Sequence, residues 1–244
     1  MDFFANISDR FYLNFIKDDR WMYITEGLKV TLTVTFFSVL IGIVLGFIIA
    51  LIRATYDRTG KKIFQWDGFG DFVLWFFNSI AKLYLTVIRG TPVVVQLLII
   101  YFVIFASVDV DKVVVAVIAF GINSAAYVAE IFRGGIMSID IGQMEAGRSI
   151  GFNYAQTMWY IILPQAFKNV LPTLGNEFIV LLKETSVAGY IALQDLKKGG
   201  DIIRSRTYDA FFPLISVAII YLVMVMIFTK LVSMLERRLQ QSER

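Results

Sequence analysis

The chain contains neither cysteine nor histidine among its 244 residues. Without cysteine there is no disulfide framework and no thiolate metal site. Without histidine the commonest metal ligand and the side chain that titrates near neutral pH are both missing. Together these absences argue against an enzyme of a familiar kind. A G-x-x-x-x-G-K-S/T phosphate loop is missing as well: the nearest text, "RTGKK" at Arg58 to Lys62, lacks the upstream glycine and the hydroxyl residue, so no nucleotide-binding loop of this kind is present. Basic residues are not clustered, and the net charge of +3 is spread among loops. This excludes a nucleic-acid stripe and a polybasic lipid anchor. No internal repeat and no low-complexity linker interrupts the chain, so residues 1–244 read as one membrane domain.

What the chain does have is apolar length. Hydrophobic residues make up 57% of it and the mean hydropathy is +0.68, above the roughly 45–50% apolar usage of soluble domains. Uncharged runs at 30–52, 90–108, 113–129 and 210–229 are long enough, or nearly so, for a helix to cross a hydrocarbon core of ~30 Å. The first run follows a mixed-charge arm with Asp18, Asp19, Arg20 and Glu26, too deep in the chain for a cleaved signal peptide. The expected fold is an all-α membrane protein with five transmembrane helices.

The first helix is expected over 26–53, with Gly42, Gly46 and Ala50 four apart as a small-residue packing face. A hydrophilic loop from Arg53 past Lys61 and Lys62 follows. The second apolar stretch, 72–108, is too long for one crossing. Pro92 in "RGTP" should break it into an inner-leaflet segment, 71–89, and a remainder, 93–106. A third helix ends near Glu130. A fourth is expected to begin at Pro172 as a first-turn residue and to run to Leu193. A polar loop, 194–208, precedes the fifth. Trp21, Tyr23, Trp66 and Trp75 suit an interfacial aromatic belt.

Between the third and fourth helices lies a polar, glycine-punctuated segment, about 137–164. Ser138 or Asp140 can cap a first short helix that carries Glu145 and Ala146 and closes at Gly151, a residue able to take the left-handed conformation. Asn153 with Gln156 makes a capping-box start for a second short helix that runs to Leu163 before Pro164 redirects the chain. The segment is therefore a rigid elbow, and Ala146, Gly147 and Gly151 should leave its outer surface shallow enough for another protein's groove. An amphipathic hairpin lying on lipid is the second reading of the same periodicity.

Six charges fall inside the expected spans: Lys82, Arg89, Glu130, Glu177, Lys183 and Glu184. An ionised side chain facing lipid costs ~2.5–3.5 kcal/mol at the bilayer centre, so these should face protein or water. Glu177 and Glu184, like Asn176 and Lys183, are seven apart on one broad face of the fourth helix, and Asn123 with Glu130 repeats the pattern on the third. They could line the path of a polar solute. Alternatively they could neutralise one another, as Glu130 with Arg133 or Lys183 with a neighbouring carboxylate. Loop lysines and arginines number eleven on the elbow's side and nine on the other, too even to orient the chain by charge.

The spacing of Glu145, Ala146, Gly151, Ile161, Leu163 and Pro164 resembles the "EAA" loop of binding-protein-dependent ABC importer permeases: EAA, three residues, G, nine residues, I, one residue, LP. The departure is Gly147, where the motif has a second alanine, a change that weakens a helix by up to ~1 kcal/mol. "RGTP" at Arg89 to Pro92, "RGGI" at Arg133 to Ile136 and "LPTLGNEFIVLLKETSV" at Leu171 to Val187 are similar to the polar amino acid subfamily, and the resemblance runs from the first helix to the tail. It implies that the elbow, with Glu145, Ala146, Gly147, Gly151, Leu163 and Pro164, is a coupling helix seated on a cytoplasmic ATPase subunit, which binds the ATP and Mg while this chain holds no cofactor. It also implies an extracytoplasmic amino-acid-binding protein, pairing with an identical or homologous permease, and an outside amino terminus with the elbow and carboxyl terminus cytoplasmic. Arg89, Asn123, Glu130, Asn176, Glu177, Lys183 and Glu184 are then candidates for the path of a polar amino acid. The rival functions are an importer of another small polar solute and, from a different class, an ATP-independent carrier or channel.

Overall fold

The computed structural model describes residues 2–59 and 68–241. Lys61, Lys62, Trp66 and Arg244, which figure in the loop, belt and tail expectations, lie outside the described residues. Every regular element among the described residues is helical. A short helix α1, Asp2–Phe11, runs into a π turn, Tyr12–Ile16. It is followed by α2, Trp21–Thr59, α3, Phe69–Gly90, and α4, Val93–Ile99, which widens into a π turn over Ile100–Ile104. Next come α5, Lys112–Met137, α6, Ile141–Ser149, and α7, Tyr154–Thr157, with its own π turn, Met158–Ile162. The chain continues as α8, Leu163–Glu184, a 3-10 turn, Thr185–Ile191, α9, Leu196–Thr207, and α10, Phe211–Gln241.

Four of these, α2, α3, α5 and α10, are long and apolar enough to cross a membrane. Three expectations need correction. At 39 residues, α2 is ~58 Å long at 1.5 Å per residue and overruns its expected limits at both ends. The chain does break at Thr91–Pro92, but α3 alone is 22 residues and qualifies as a span rather than an inner-leaflet segment. The fourth expected span begins nine residues before Pro172, at Leu163, and its α-helical part ends at Glu184. Leu163 has helical φ/ψ and its N–H reaches the Met158 carbonyl across the π turn, so Pro164 does not redirect the chain. It occupies the first turn of α8 directly after the π turn, while Pro172 lies inside the helix.

The contacts divide into two compact units, and the division falls within α2, α5, α8 and α10. The first comprises Met1–Ser38, Val93–Phe120 and Phe178–Lys230. Its core is Phe15, Ile24, Leu182, Leu196, Ile203, Val217 and Met224. The amino-terminal arm, unassigned by the sequence, docks here: Arg10 pairs with Asp209 at 2.8 Å. Fully buried Asn14 donates to the same carboxylate at 2.9 Å and accepts from the Thr207 hydroxyl at 2.9 Å. The second unit comprises Val39–Pro92, Gly121–Glu177 and Leu231–Arg244. Here the expected small-residue face packs as read: a Cβ on Gly42 would lie 2.8 Å from Ser124 Oγ, one on Gly46 2.7 Å from Val128 Cγ1, and Ala50 is fully buried. Phe47, Phe132 and Phe167 form a triangle with centroids 5.2 to 5.3 Å apart.

Candidate functional site

The elbow is built entirely within the second unit, and both ends of α6 and the start of α7 are set by specific hydrogen bonds, while the far end of α7 runs through its π turn into α8. Asp140, not Ser138, caps α6: its Oδ1 accepts from the Gly142 N–H at 2.6 Å, while the Ser138 hydroxyl donates to the Gly135 carbonyl. At the far end Gly151 takes φ +93°, with its N–H on the Arg148 carbonyl and that of Phe152 on the Gly147 carbonyl, both at 3.1 Å. This pair of bonds closes a Schellman motif, which favours glycine because a Cβ is strained at positive φ. Asn153 and Gln156 exchange two bonds of 2.9 Å in a capping box that starts α7. No end of either short helix relies on water alone.

Gly147 is not on the outer surface. It is buried, and a Cβ there would stand 2.5 Å from Thr157 Cγ2 and 3.0 Å from Ile161 Cδ1. The residue that departs from the motif is therefore the contact at which the two limbs of the elbow close, and its cost in helix propensity is offset by a tighter corner. Leu163 is also buried, in a cluster with Ile136, Ile139, Met158 and Ile162 that fastens the elbow to the end of α5. Glu145, Ala146, Gly151 and Pro164 are exposed. Of the six expected coupling residues, four face outward and two hold the shape.

The expected Glu130–Arg133 pair is present, and together with Arg58 and Asp57, which sequence reasoning passed over, it secures the root of the elbow. Arg58 donates to the carbonyls of Ile136 and Ile139 at 2.6 and 3.2 Å, satisfying the end of α5. Arg133 bonds Glu130 at 3.0 Å and reaches Asp57 on α2 at 3.1 Å. Asp57, Arg58, Ser138, Asp140, Met144 and Tyr154 border a cavity of about 480 Å³ beside the elbow. The signal was present in the text: Arg53 and Asp57 are four apart, a spacing that supports a continuing helix rather than a loop.

The candidate path residues fall in both units. Glu130 is engaged in the ion pair just described. Within the second unit Glu177 accepts from the Ser124 hydroxyl at 3.0 Å, beside buried Asn123 on α5. Arg89 is exposed and lies 5.7 Å from the Tyr127 ring, in cation–π range. Asn176 is exposed. In the first unit Lys183 is exposed and has no ion pair among the described residues, while its neighbour Glu184 is half-buried. Lys82, on α3, is exposed.

A helical chain with several membrane-length spans and a doubly capped elbow is the architecture of a transporter's membrane subunit, and comparison with known proteins places it more closely. The family described as "Binding-protein-dependent transport system inner membrane component" matches residues 70–241. The chain belongs to that family: it is a multi-pass inner membrane protein that contributes the membrane component of a transport system, not a catalytic subunit. It is 38% identical to the arginine transport system permease protein ArtQ of Bacillus subtilis (strain 168), covering 91% of this chain and 94% of that one. It is 35% identical to the glutamine transport system permease protein GlnP of Escherichia coli (strain K12), over 88% and 92% of the two chains. Among solved structures, a chain of an amino acid ABC transporter crystallised with histidines is 40% identical with a TM-score of 0.76, covering 98% of this chain and 99% of that one. A chain of the MetNI methionine ABC transporter in an inward-facing conformation has a TM-score of 0.74 at 19% identity over 91% and 98%, a likeness of fold.

Proposed function

We propose that this chain is the membrane-spanning subunit of an ATP-driven importer of polar amino acids. It works as one permease domain, paired with an identical or homologous copy. A separate ATPase subunit carries the ATP and Mg, and this chain holds no cofactor. An extracytoplasmic amino-acid-binding protein delivers cargo, and the amino terminus is outside while the elbow and carboxyl terminus are cytoplasmic. The observation that carries this reading is the elbow. Its ends are closed by an Asp140 cap, a Schellman turn and a capping box, its interior is sealed at Gly147, and its outward crest is small and polar at Glu145 and Ala146. A segment so thoroughly pre-shaped transmits displacement rather than absorbing it. Closure of two ATPase subunits on each other would move the crest, and the Leu163 and Arg58 contacts would carry the movement into α8 and the end of α5. Glu130, Asn176, Glu177, Arg89, Asn123, Lys183 and Glu184 are proposed to line or gate the solute's route.

The test separates coupling from insertion. Glu145→Lys leaves every internal contact of the elbow in place because Glu145 is exposed and its side chain makes no hydrogen bond among the described residues. It should insert and fold normally, lose co-purification with the ATPase subunit and abolish transport in proteoliposomes. Gly151→Trp, which forces a bulky ring onto a positive-φ residue, should do the same with added strain. If Glu145→Lys transports and co-purifies as wild type does, the elbow is a lipid-lying hairpin and the coupling reading is wrong.

A further inference from the structure

In the first unit, α9 is a helix with two unlike faces. Leu196, Gly199, Gly200 and Ile203 are buried at helical spacing. The two glycines are where the helix packs closest: a Cβ on Gly199 would stand 2.3 Å from the Tyr23 carbonyl oxygen, and one on Gly200 2.6 Å from Val217 Cγ2. Asp195 caps the start through the Lys198 N–H at 2.9 Å. The helix is thus held as a rigid platform, and its other face is basic. Lys197, Lys198, Arg204 and Arg206 stand against one acid, Asp201, which is shared by Lys197 at 2.5 Å and Arg204 at 3.3 Å. Arg206 lies over the Tyr23 ring at 4.9 Å.

Lys198 differs from its neighbours. It has no ion pair or hydrogen bond from its ammonium group among the described residues, and it borders a cavity of about 200 Å³ with Ser186, Gly189, Tyr190, Lys197 and Asp201. The hydroxyls of Ser186 and Tyr190 likewise have no partner among the described residues. Three unpaired donors, one of them cationic, therefore edge one small hollow. A carboxylate is the group that such a set binds best, through charge-assisted hydrogen bonds. The basic face extends well past the hollow, over a helix ~18 Å long at 1.5 Å per residue, farther than a free amino acid reaches. It matches the scale of a protein surface.

We propose that the α9 face is the docking site for an acidic patch of the extracytoplasmic binding protein, with one aspartate or glutamate side chain of that protein entering the hollow onto Lys198, Ser186 and Tyr190. The inference rests on the proposed orientation, which puts α9 outside. Electrostatic docking of this kind sets partner choice and association rate, and it weakens with salt.

The experiment uses the complete transporter in nanodiscs of neutral phosphatidylcholine and the fluorescently labelled binding protein purified from the same transport system. For Lys198→Glu the dissociation constant should rise roughly tenfold or more, since like charges meet at the site. Lys198→Arg should stay near wild type. Added salt should weaken the wild-type complex more than the Lys198→Glu complex, and decaglutamate should compete with the labelled binding protein for the α9 face. Basal ATP hydrolysis should not change. An unchanged affinity in Lys198→Glu overturns the proposal, and so does an unchanged affinity accompanied by a higher KM for transport, which would assign the hollow to the amino acid's own carboxylate. Binding that appears only when anionic lipid is added also overturns it. A Ser205→Cys probe on α9, labelled in intact cells that express the transporter, keeps the two readings apart. If an impermeant thiol reagent labels it from outside while affinity is unaltered, the docking inference alone fails. If the reagent cannot reach it from outside, the orientation in the proposed function fails as well.

Discussion

Restoring the motif's alanine at the elbow, Gly147→Ala, should destabilise the protein. In an exposed helix the change would stabilise by up to ~1 kcal/mol. Here the new methyl would lie 2.5 Å from Thr157 Cγ2, 2.9 Å from Thr157 Oγ1 and 3.0 Å from Ile161 Cδ1. Ile161 is the yielding neighbour, because only the end of a flexible chain has to move. Thr157 cannot yield so easily: it is fully buried, and its hydroxyl donates to the Asn153 carbonyl at 3.0 Å, so rotating Cγ2 away breaks that bond. Overpacking costs ~1–3 kcal/mol, which leaves a net loss of about 1 kcal/mol after the propensity gain. Thr157→Ser removes the offending methyl and keeps the hydroxyl. The double variant should therefore recover most of the loss, and the coupling between the two sites should be on the order of 1 kcal/mol. Thermal unfolding of the detergent-solubilised complex, followed by size-exclusion fluorescence, gives the stabilities, and transport in proteoliposomes reports the elbow. If Gly147→Ala is as stable as wild type, or if Thr157→Ser gives no rescue, the packing argument is refuted.

Two further expectations follow from single residues. Burial holds the Asp195 carboxyl up at about 6, against the opposing hydrogen bond from the Lys198 N–H, and its Oδ2 has no partner. A carboxyl raised in the folded state stabilises fully below its unfolded value near 3.8, and that stability is lost as pH rises through the folded value. The first unit should therefore weaken between about pH 4 and pH 6, by about 3 kcal/mol at 1.36 kcal/mol per unit. Asp195→Asn keeps a capping oxygen and should flatten that pH dependence in unfolding scans; a slope unchanged in the variant assigns it to another group. Glu177→Gln retains an oxygen for the Ser124 hydroxyl but loses the charge, so transport should fall roughly tenfold or more with normal assembly and normal basal ATP hydrolysis. A variant that assembles poorly yet transports at the wild-type rate per molecule makes Glu177 a structural partner only.

Much of the architecture is legible in the sequence because it rests on local physics. Long uncharged runs must bury their backbone polar groups in helices if they enter lipid, so membrane helices, the break at Pro92 and the small-residue face of α2 could be read from the text. Three of the elbow's ends are readable for the same reason: a cap at Ser138 or Asp140, a glycine at the left-handed position and an Asn153–Gln156 box each need only a few consecutive residues, whereas the expected end at Pro164 is not an end. Where α8 begins was not readable, because either Pro164 or Pro172 can occupy a first turn, and the π turn at Met158–Ile162 that favours Pro164 depends on what Met158 and Ile162 pack against. The sequence alone also cast Gly147 as a flaw on an outer surface. Only the approach of Thr157, ten residues away, makes it the residue that closes the corner. The same holds for Arg133 reaching Asp57, Ser124 reaching Glu177 and the unpaired Lys198. Charge and spacing announce which residues are expensive to bury, but partners brought together from distant parts of the chain decide which of them are satisfied and which are left facing a cavity.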